Sequence, residues 1–240
     1  MKILFLDIET APNVAYVWGL FDQNIAHDQV EASSYILCWS AKWLGHSTML
    51  HKSTKDVDML YTIHNLLDVA DVVVHYNGAK FDIPTLNKEF VKAGMLPPSP
   101  YKQVDLLRIC RQAFRFESNK LAAIVKALGL GQKMAHHGFE LWVGCMKGDK
   151  QAWKVMKRYN QMDVTLLERL YHRLLPWIAK HPSTALGLAC PKCGSTKTQR
   201  RGVQVALTRS YTRYQCQSCG GWFRSNKAVK AANVEQGVNI

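Results

Sequence analysis

The sequence has no long hydrophobic run, no internal repeat and no low-complexity segment. Within its 240 residues, no apolar stretch approaches the roughly 18 residues that a membrane-spanning helix requires. The opening segment, MKILFLDIET, is too short and too soon acidic for a secretory signal. These absences predict a cytoplasmic protein with no membrane partner. Hydrophobic residues make up 48% of the chain, which is enough for a packed core and excludes a wholly disordered protein.

Acidic residues are almost absent from the last quarter of the chain. Residues 181–240 contain nine lysines and arginines but a single acid, Glu235. The whole chain has a formal net charge of +13, so this quarter carries more than half of the excess. The excess favours a polyanionic partner, and nucleic acid rather than a membrane because no basic amphipathic helix is evident. The alternative interpretation is that the charge serves solubility alone.

The seven cysteines fall into two groups. Three of them lie among apolar neighbours, which is typical of buried, reduced thiols; they are Cys38, Cys110 and Cys145. The other four form two CxxC pairs, which consist of Cys190, Cys193, Cys216 and Cys219. Four thiolates on two short loops suit tetrahedral zinc, whereas a redox dithiol needs only one pair and disulfides are rare in cytoplasmic proteins. The pattern predicts one structural Zn²⁺ in a small zinc ribbon.

The hydrophobic patterns predict an α/β domain ahead of that ribbon. Strands are expected at 3–7, 34–43, 46–51, 71–76 and 104–109, and helices at 56–70, 82–93, 119–128 and 150–180. Three strands followed by alternating helices and strands indicate a mixed sheet flanked by helices. The composition changes near residue 182, which predicts domains at 1–181 and 182–230 and a flexible tail at 231–240.

Four acids lie at the ends of predicted strands or on predicted helices. Asp7 and Glu9 are separated by one residue at the end of the first strand, so both carboxylates project from the same face. Divalent cations with oxygen ligands would relieve the repulsion between them. Asp82 opens a helix just after a strand and loop, although it could instead be a helix N-cap. Asp163 lies on a long helix and is a weak signal in isolation.

These acids belong to three motifs that occur in a fixed order. The motifs are Asp7-Ile8-Glu9-Thr10, Asn77-Gly78-Ala79-Lys80-Phe81-Asp82 and Tyr159-Asn160-Gln161-Met162-Asp163. Over roughly residues 1–175 the sequence resembles the DEDD 3′–5′ exonucleases, which have a ribonuclease H-like fold. Its second motif resembles the proofreading domains of family B DNA polymerases. A tyrosine four residues before the last aspartate is similar to the tyrosine branch of the family, not to the branch that has a histidine five residues before it.

The resemblance implies a nuclease that uses two Mg²⁺ or Mn²⁺ ions. It implies that Asp7 bridges the ions, that Asp163 completes one site and that Asp82 binds the second ion. It also implies that Glu9 coordinates metal near the terminal 3′-hydroxyl and that the Tyr159 hydroxyl orients the attacking water. The implied reaction releases 5′-mononucleotides from single-stranded or frayed 3′ ends of DNA, in preference to RNA. A 3′–5′ RNA exonuclease, a structure-specific nuclease and an inactive nuclease fold with a nucleic-acid-binding ribbon are the alternatives.

Candidate nucleic-acid contacts lie in the motifs and in the ribbon. Thr10 and Asn77 are candidates for contacts with the terminal nucleotides, although Asn77 also suits the turn before Gly78. The ribbon candidates are Arg200, Arg201, Arg209, Arg213, Trp222 and Arg224. Arginines bind phosphates and aromatic rings stack on bases; alternatively, the aromatic residues pack the ribbon's own core. His136 and His137 are interpreted as structural, because an oxygen-rich metal site does not need them.

Overall fold

The structure, a computed structural model, describes residues 1–135, 138–183, 185 and 187–229. The chain divides into two compact units, one of which covers Lys2–Tyr171 while the other starts at His172. The tail predicted at 231–240 and the pair His136 and His137 lie outside the described residues. Among the helices that the structure describes, none is long and apolar enough to cross a membrane.

The first unit is built on a five-stranded mixed sheet flanked by helices, which confirms the predicted fold class. In chain order the elements are β1 (Ile3–Thr10), β2 (Val14–Ala15), β3 (Val30–Ala32), β4 (Ile36–Trp43), β5 (Leu50–Ser53), α1 (Met59–Asp68), β6 (Val72–His75), α2 (Asp82–Lys92), β7 (Lys102–Asp105), α3 (Leu106–Ala113), α4 (Leu121–Ala127), α5 (Glu140–Met146) and α6 (Lys150–Leu174). The strand order in the sheet is β5-β4-β1-β6-β7. Strands β5, β4 and β1 pair antiparallel, whereas β1, β6 and β7 pair parallel.

Strand β1 lies at the centre of the sheet and is buried on both faces. Its even-numbered apolar residues, such as Leu4 and Leu6, join a core that α1 and α2 complete with residues such as Leu67 and Leu86. On the other face, the ring of Phe5 meets that of Tyr171 on α6 edge-on, with 5.3 Å between the ring centroids. Because side chains alternate along a strand, the odd-numbered residues that follow Phe5 also face α6.

The predicted strand at 104–109 is wrong beyond its first two residues. Strand β7 ends at Asp105, and helix α3 begins at the next residue. The Asp105 carboxylate accepts hydrogen bonds from the backbone N–H groups of Leu107 and Arg108, at 3.0 and 3.4 Å, and so caps the first turn of the helix. The apolar residues after Asp105 therefore begin a helix, which Asp105 caps, and do not continue the strand.

The end of one helix and the presence of another also differ from the sequence-based expectation. The helix expected over 150–180 ends at Leu174, and a 3₁₀ turn at Leu175–Trp177 follows it. Pro176 lies in that turn, where its missing N–H does not break a helical ladder. The hydrophobic pattern did not predict the short helix α5, which covers Glu140–Met146.

The second unit contains a three-stranded antiparallel sheet. Its strands are β8 (Thr198–Val205), β9 (Ser210–Cys216) and β10 (Trp222–Ala228), in the order β10-β9-β8. One CxxC loop precedes β8, and the other connects β9 to β10. On one face of the sheet the rings of Tyr214 and Phe223 stack, with centroids 5.4 Å apart and planes 18° apart. Both rings are half-buried, and the pair forms a small aromatic core for the sheet, in whose strands only Cys216 is fully buried.

Candidate functional site

Asp7 and Glu9 lie near the end of β1, in the row of side chains that faces α6. Their cross-strand neighbours on β4 are Ser40 and Cys38, both fully buried. The apolar residues that precede them fix the strand in the centre of the sheet. The strand therefore presents two carboxylates, one behind the other, to the helix that carries the third motif.

Helix α6 supplies the third acid and the candidate tyrosine. Tyr159 and Asp163 are one helical turn apart and are buried, with exposed fractions of 8% and 3%. Carboxylate oxygens of Asp7, Glu9 and Asp163 all lie within 4.8 Å of one another. Acids from a strand and a helix that are distant in the sequence therefore converge on one point.

Asp82, the fourth acid, lies beside this cluster. It is the first residue of α2 and only 4% exposed, but its side chain does not cap the helix. Its Oδ1 atom instead accepts a hydrogen bond from the backbone N–H of Ile8 on β1, at 3.1 Å. Asp82 is thus fixed next to the strand segment between Asp7 and Glu9, although it is not part of the three-carboxylate cluster.

Burial raises the pKa values of Asp7, Glu9 and Asp82, and repulsion from neighbouring carboxylates adds to the effect. Burial raises the pKa of Asp82 from 3.8 to about 7, and burial together with the charge of Asp163 raises that of Glu9 from 4.5 to about 7. Burial, followed by the charges of Asp82, Glu9 and Asp163, raises the pKa of Asp7 well above its ordinary value. Keeping such a cluster ionised is unfavourable without a compensating cation.

The donor set fits a divalent metal. Carboxylate oxygens are the ligands that Mg²⁺ and Mn²⁺ prefer, and three of them already lie close enough to share one ion. A cation here would offset the burial and the repulsion that raise the pKa values of Asp7 and Glu9. The residues that would hold it are Asp7, Glu9 and Asp163, with Asp82 beside them.

Lys133 places a positive charge at the same point, and sequence reasoning missed it. Its Nζ atom donates hydrogen bonds to Asp163 Oδ2 at 2.5 Å and to the Tyr159 hydroxyl at 3.2 Å, and lies 5.1 Å from the centre of the Tyr159 ring. Although burial opposes its charge, Asp163 and Tyr159 raise the pKa of Lys133, so the amine stays protonated at neutral pH. Lys133 lies in an irregular segment between α4 and α5, where no periodic pattern points to it.

Asn160 and Trp142, which were also missed, hold two of the acids in place. The Asn160 Nδ2 group donates to Asp7 Oδ2 at 2.7 Å and to the Asp7 backbone carbonyl at 3.2 Å. A hydrogen bond from the Trp142 side chain acts to lower the pKa of Glu9, and the Trp142 ring meets that of Tyr159 edge-on at 6.0 Å. Asn160 directly follows Tyr159 in the third motif, and that adjacency was the available signal. Trp142 lies on the unpredicted helix α5 and had none.

The second motif forms a tight turn between β6 and α2. Asn77 has a positive φ of 68°, a conformation that asparagine tolerates better than most residues, and its N–H donates to Asp105 Oδ1 at 3.0 Å. Gly78 lies against His75, and its N–H donates to His75 Nδ1 at 3.0 Å. This geometry favours the turn interpretation of Asn77. Thr10, at the end of β1, is partly exposed, and its contact with nucleic acid stays a prediction, as does that of Asn77.

Comparisons with known proteins agree with this geometry. The RNase_H_2 family model, of the RNase_H superfamily, matches residues 4–175. The chain belongs to the RNase_H superfamily. Its ribonuclease H-like fold, expected from the three motifs, is thereby confirmed. The family indicates a nuclease, and RNase H-like nucleases usually use divalent metals, which the acidic cluster fits.

A solved structure shares this RNase H-like fold. The family B DNA polymerase from the hyperthermophilic archaeon Pyrobaculum calidifontis superposes with a TM-score of 0.56 and 16% sequence identity. The match covers 73% of this chain but only 24% of the polymerase, and at this identity it concerns the fold alone. No curated protein matches the chain.

In the second unit of this RNase H-like chain, the four cysteines of the CxxC pairs converge. Their sulfur atoms all lie within 4.8 Å of one another. Two of the distances are 3.7 Å, between Cys190 and Cys219, and 3.6 Å, between Cys193 and Cys216. A tetrahedron with Zn–S bonds of about 2.3 Å has edges of about 3.8 Å, so the spacing fits one zinc ion. Burial acts to raise the pKa of Cys216, but hydrogen bonds from the backbone N–H groups of Cys219 and Ser218 lower it to about 7. A lowered pKa favours the thiolate form, which is the form that binds metal.

The ribbon arginines do not all belong to one surface. Arg213 lies over the ring of Trp222, with 5.2 Å from its guanidinium carbon to the ring centroid, and Arg224 lies over the ring of Tyr211 at 3.6 Å. Arg200 pairs in register with Tyr214 and therefore lies on the opposite face. The other two predicted residues, Arg201 and Arg209, are exposed on β8 and in the turn after it. The structure thus brings together three of the six ribbon candidates.

Proposed function

We propose that this chain is a metal-dependent 3′–5′ exonuclease of the tyrosine-branch DEDD type. It hydrolyses DNA at single-stranded or frayed 3′ ends and releases 5′-mononucleotides. The observation that carries the proposal is the convergence of Asp7, Glu9 and Asp163 within 4.8 Å, on an RNase H-like fold. Asp82 and Tyr159, which complete the five residues of the motif set, lie directly beside that cluster.

Each acid has a distinct part in the proposal. Asp7, Glu9 and Asp163 would hold one Mg²⁺ or Mn²⁺ ion and Asp82 would hold a second, with Asp7 as the carboxylate common to both sites, as the resemblance implies. When bound, two such ions stabilise both the attacking and the leaving oxygen of a phosphodiester displacement. Asn160 fixes the orientation of Asp7 through its two hydrogen bonds, so the bridging carboxylate is held before substrate arrives.

Tyr159 orients the attacking water and does not remove its proton. Burial, followed by the charge of Asp163, raises the pKa of the Tyr159 hydroxyl above its ordinary value of 10.0, so the group keeps its own proton at neutral pH. Lys133 donates a hydrogen bond to the same hydroxyl oxygen and thereby fixes the direction in which Tyr159 donates. The ammonium group also adds positive charge where negative charge develops in the reaction.

Two considerations favour DNA as the substrate. The similar solved structure is named as a DNA polymerase, and the second motif resembles a polymerase proofreading domain. Residues 182–230 form, in this proposal, a ribbon that holds one structural Zn²⁺ on four cysteines and grips nucleic acid. Residues 1–181 form the nuclease domain.

The proposed reaction is tested with end-labelled strands. Purified protein is incubated with 5′-labelled and 3′-labelled DNA and RNA of the same sequence, with Mg²⁺, Mn²⁺ or no divalent metal. We expect a stepwise ladder from 5′-labelled DNA, release of the labelled mononucleotide from 3′-labelled DNA, and no cleavage without metal. Ladders on RNA alone would mean that the substrate is RNA and not DNA, and internal cuts would point to an endonuclease. The absence of hydrolysis with either metal would leave only a nucleic-acid-binding role.

The zinc assignment has its own test. We expect metal analysis of the purified protein to find one zinc ion per chain and thiol titration to release it. A Cys216→Ser substitution should lower the zinc content without removing the Mg²⁺-dependent chemistry. A folded ribbon that contains no zinc would contradict the assignment.

A further inference from the structure

One face of the ribbon sheet carries two arginines and two aromatic residues that contact one another. We call Tyr211, Arg213, Trp222 and Arg224 the arginine–aromatic face. Arg213 and Arg224 are paired across β9 and β10 and therefore lie on the same side of the sheet. Tyr211 is two residues from Arg213 on β9, and Trp222 is two residues from Arg224 on β10, so both rings lie on that side as well. The opposite side of the same strands carries the stacked pair of Tyr214 and Phe223. The ribbon's own aromatic core and the arginine–aromatic face are therefore different surfaces.

The guanidinium groups on this face are held by contacts within the ribbon. Arg224 lies 3.6 Å from the centre of the Tyr211 ring, and Arg213 lies 5.2 Å from that of Trp222. Arg213 also donates a hydrogen bond from Nε to the backbone carbonyl of Arg201, at 3.0 Å. Side chains that are already fixed lose little conformational entropy when they bind a ligand.

The same face concentrates positive charge, and among the residues that the structure describes no carboxylate forms an ion pair with its two arginines. Arg213 and Arg224 are directly opposite each other across two strands, an arrangement of like charges that destabilises a sheet. The chain contains no Asp or Glu between His172 and Val229. Cation–π contacts hold the two charges but do not neutralise them, so an anionic ligand would relieve the repulsion.

A concavity borders this face. It has a volume of about 350 Å³, and its lining includes Trp222, Arg224, Gln204, His181 and Lys192. That volume is within the range of about 300–1,000 Å³ that is usual for small-ligand sites. Trp222 is 47% exposed, so part of its ring is available for stacking. The lining thus combines an aromatic surface, to which Phe223 of the aromatic core also contributes, with two cationic side chains and one amide group, the chemistry that suits a nucleobase and its phosphate.

We infer that the arginine–aromatic face binds unpaired bases of a single-stranded nucleic acid. Bases stack on Trp222 and on the guanidinium planes, while Arg213 and Arg224 bind the adjacent phosphates. The inference rests on the proposed role of the ribbon as an anchor and specifies it. The ribbon selects single strands, because the bases of a duplex are stacked on one another and cannot reach the rings.

The experiment compares three labelled probes by fluorescence anisotropy, with the full chain and without Mg²⁺ or Mn²⁺. The probes are an oligothymidylate of about 12 nucleotides, the same backbone with abasic sites at alternate positions, and a duplex of equal length. We expect the thymine strand to bind about tenfold tighter than the abasic strand, because stacking contributes substantially per base. Trp222→Ala should remove most of that difference, and Trp222→Phe should restore it.

A matched pair of charge-conserving variants separates stacking from charge. Arg213→Lys combined with Arg224→Lys keeps both charges but loses the planar groups, so it should weaken binding of the thymine strand while sparing the abasic strand. Arg200→Lys, on the opposite face, should leave the preference unchanged. One zinc ion per chain in each variant shows that the ribbon is folded.

Several outcomes would overturn the inference. These are equal affinity for thymine and abasic strands, binding of the duplex as tight as that of the single strand, or a loss of preference in Arg200→Lys that equals the loss in Trp222→Ala. Hydrolysis is measured separately with Mg²⁺ on the same preparations. A wild-type protein that prefers the thymine strand but does not hydrolyse it would refute the nuclease proposal and leave the binding face intact. Hydrolysis without any preference for the thymine strand would refute the binding face and leave the nuclease proposal intact.

Discussion

At the scale of single residues, Tyr159 has the most specific assignment to test. Tyr159→Phe removes the hydroxyl but keeps the ring, and with it the packing on Trp142 and the contact with the Lys133 ammonium. If the hydroxyl orients the attacking water, kcat should fall by about 100-fold or more, while KM and metal affinity stay close to their wild-type values. Steady-state kinetics at saturating Mg²⁺ measure the effect. A variant with normal kcat would assign Tyr159 to packing alone.

Lys133 can be separated from the metal ligands by the direction of its effect on metal binding. Lys133→Met keeps an unbranched side chain but removes the charge beside Asp163, so kcat should fall by about 100-fold. Mn²⁺ affinity should not fall, because the lost group is a cation that repels the metal. Asp163→Asn is the control, and we expect it to weaken Mn²⁺ binding.

The double variant of Lys133 and Tyr159 gives a further check on the shared hydrogen bond. Because Lys133 donates to the Tyr159 hydroxyl, the two substitutions should not be additive in kcat. Additive losses would show that the two side chains act independently.

At the scale of secondary-structure elements, local patterns predicted the parts of the site that depend on local sequence. The apolar run before Asp7, the one-residue spacing to Glu9 and the helical turn between Tyr159 and Asp163 are local, and they led to the observed strand and helix. Asp105 misled the prediction because a strand-end acid and a helix-capping acid have the same local sequence. In such cases the packing of the following turn decides the outcome.

Lys133 is a residue of the site that local sequence patterns could not predict. It reaches Asp163 and Tyr159 from a segment with no regular secondary structure, so neither a period of two nor one of 3.6 applies to it. Its position follows from how α4, α5 and α6 surround the acids, which is tertiary information. The separation of the ribbon's two aromatic pairs onto opposite faces depends likewise on strand register, which composition does not reveal.

The turn between β6 and α2 depends on close packing at Gly78. A Cβ atom there would lie 2.5 Å from the ring of the fully buried His75, which is also held by a hydrogen bond between its Nε2 atom and Gln103 Oε1. Gly78→Ala should therefore lower the free energy of unfolding by about 1–3 kcal/mol and disturb the start of α2, where Asp82 lies. The free energy of unfolding, measured with denaturant, and the Mg²⁺-dependent activity should both decrease.

Gly19→Ala is a matched control for that substitution. A Cβ atom at Gly19 would meet only the end of the flexible Gln23 side chain, so the change should be within about 0.5 kcal/mol of neutral. If Gly78→Ala were as stable as Gly19→Ala, the tight packing of the turn would not limit the fold.

At the scale of the whole molecule, the formal charge of +13 combines two different electrostatic regions. The first unit brings together two buried acids, Asp82 and Asp163, and two half-buried ones, Asp7 and Glu9, an arrangement that favours metal binding. The second unit contains two opposed arginines and no acid from His172 to Val229. One region attracts divalent cations and the other attracts polyanions. Net charge alone would have concealed this division.

Two of these acids, Glu9 and Asp82, make the metal-free protein less stable as the pH rises. The pKa values of Glu9 and Asp82 are raised to about 7 from 4.5 and 3.8, so between about pH 4 and pH 7 the folded protein holds protons that the unfolded chain has released. Raising the pH through this window should therefore lower the free energy of unfolding. Mg²⁺ or Mn²⁺ should reverse the loss at pH 8, because metal binds the ionised carboxylates, and should have little effect at pH 5.

Asp82→Asn isolates this effect from the pH response of the zinc cysteines, which is the same in both proteins and cancels in their difference. The asparagine oxygen can still accept the hydrogen bond from the Ile8 N–H but does not ionise. Without divalent metal, the variant should already be slightly more stable than the wild type at pH 5, and its advantage should grow as the pH rises to about 7 and persist at pH 8. The gain should be at most several kcal/mol, since each unit of pKa shift corresponds to about 1.4 kcal/mol. With Mn²⁺ at pH 8 the difference in stability between the variant and the wild type should become smaller or change sign, because the wild type keeps a metal ligand that the variant has lost. Tm measured from pH 5 to pH 8, with and without Mn²⁺, tests both statements; a metal-free wild type that gains on the variant as the pH rises would contradict them.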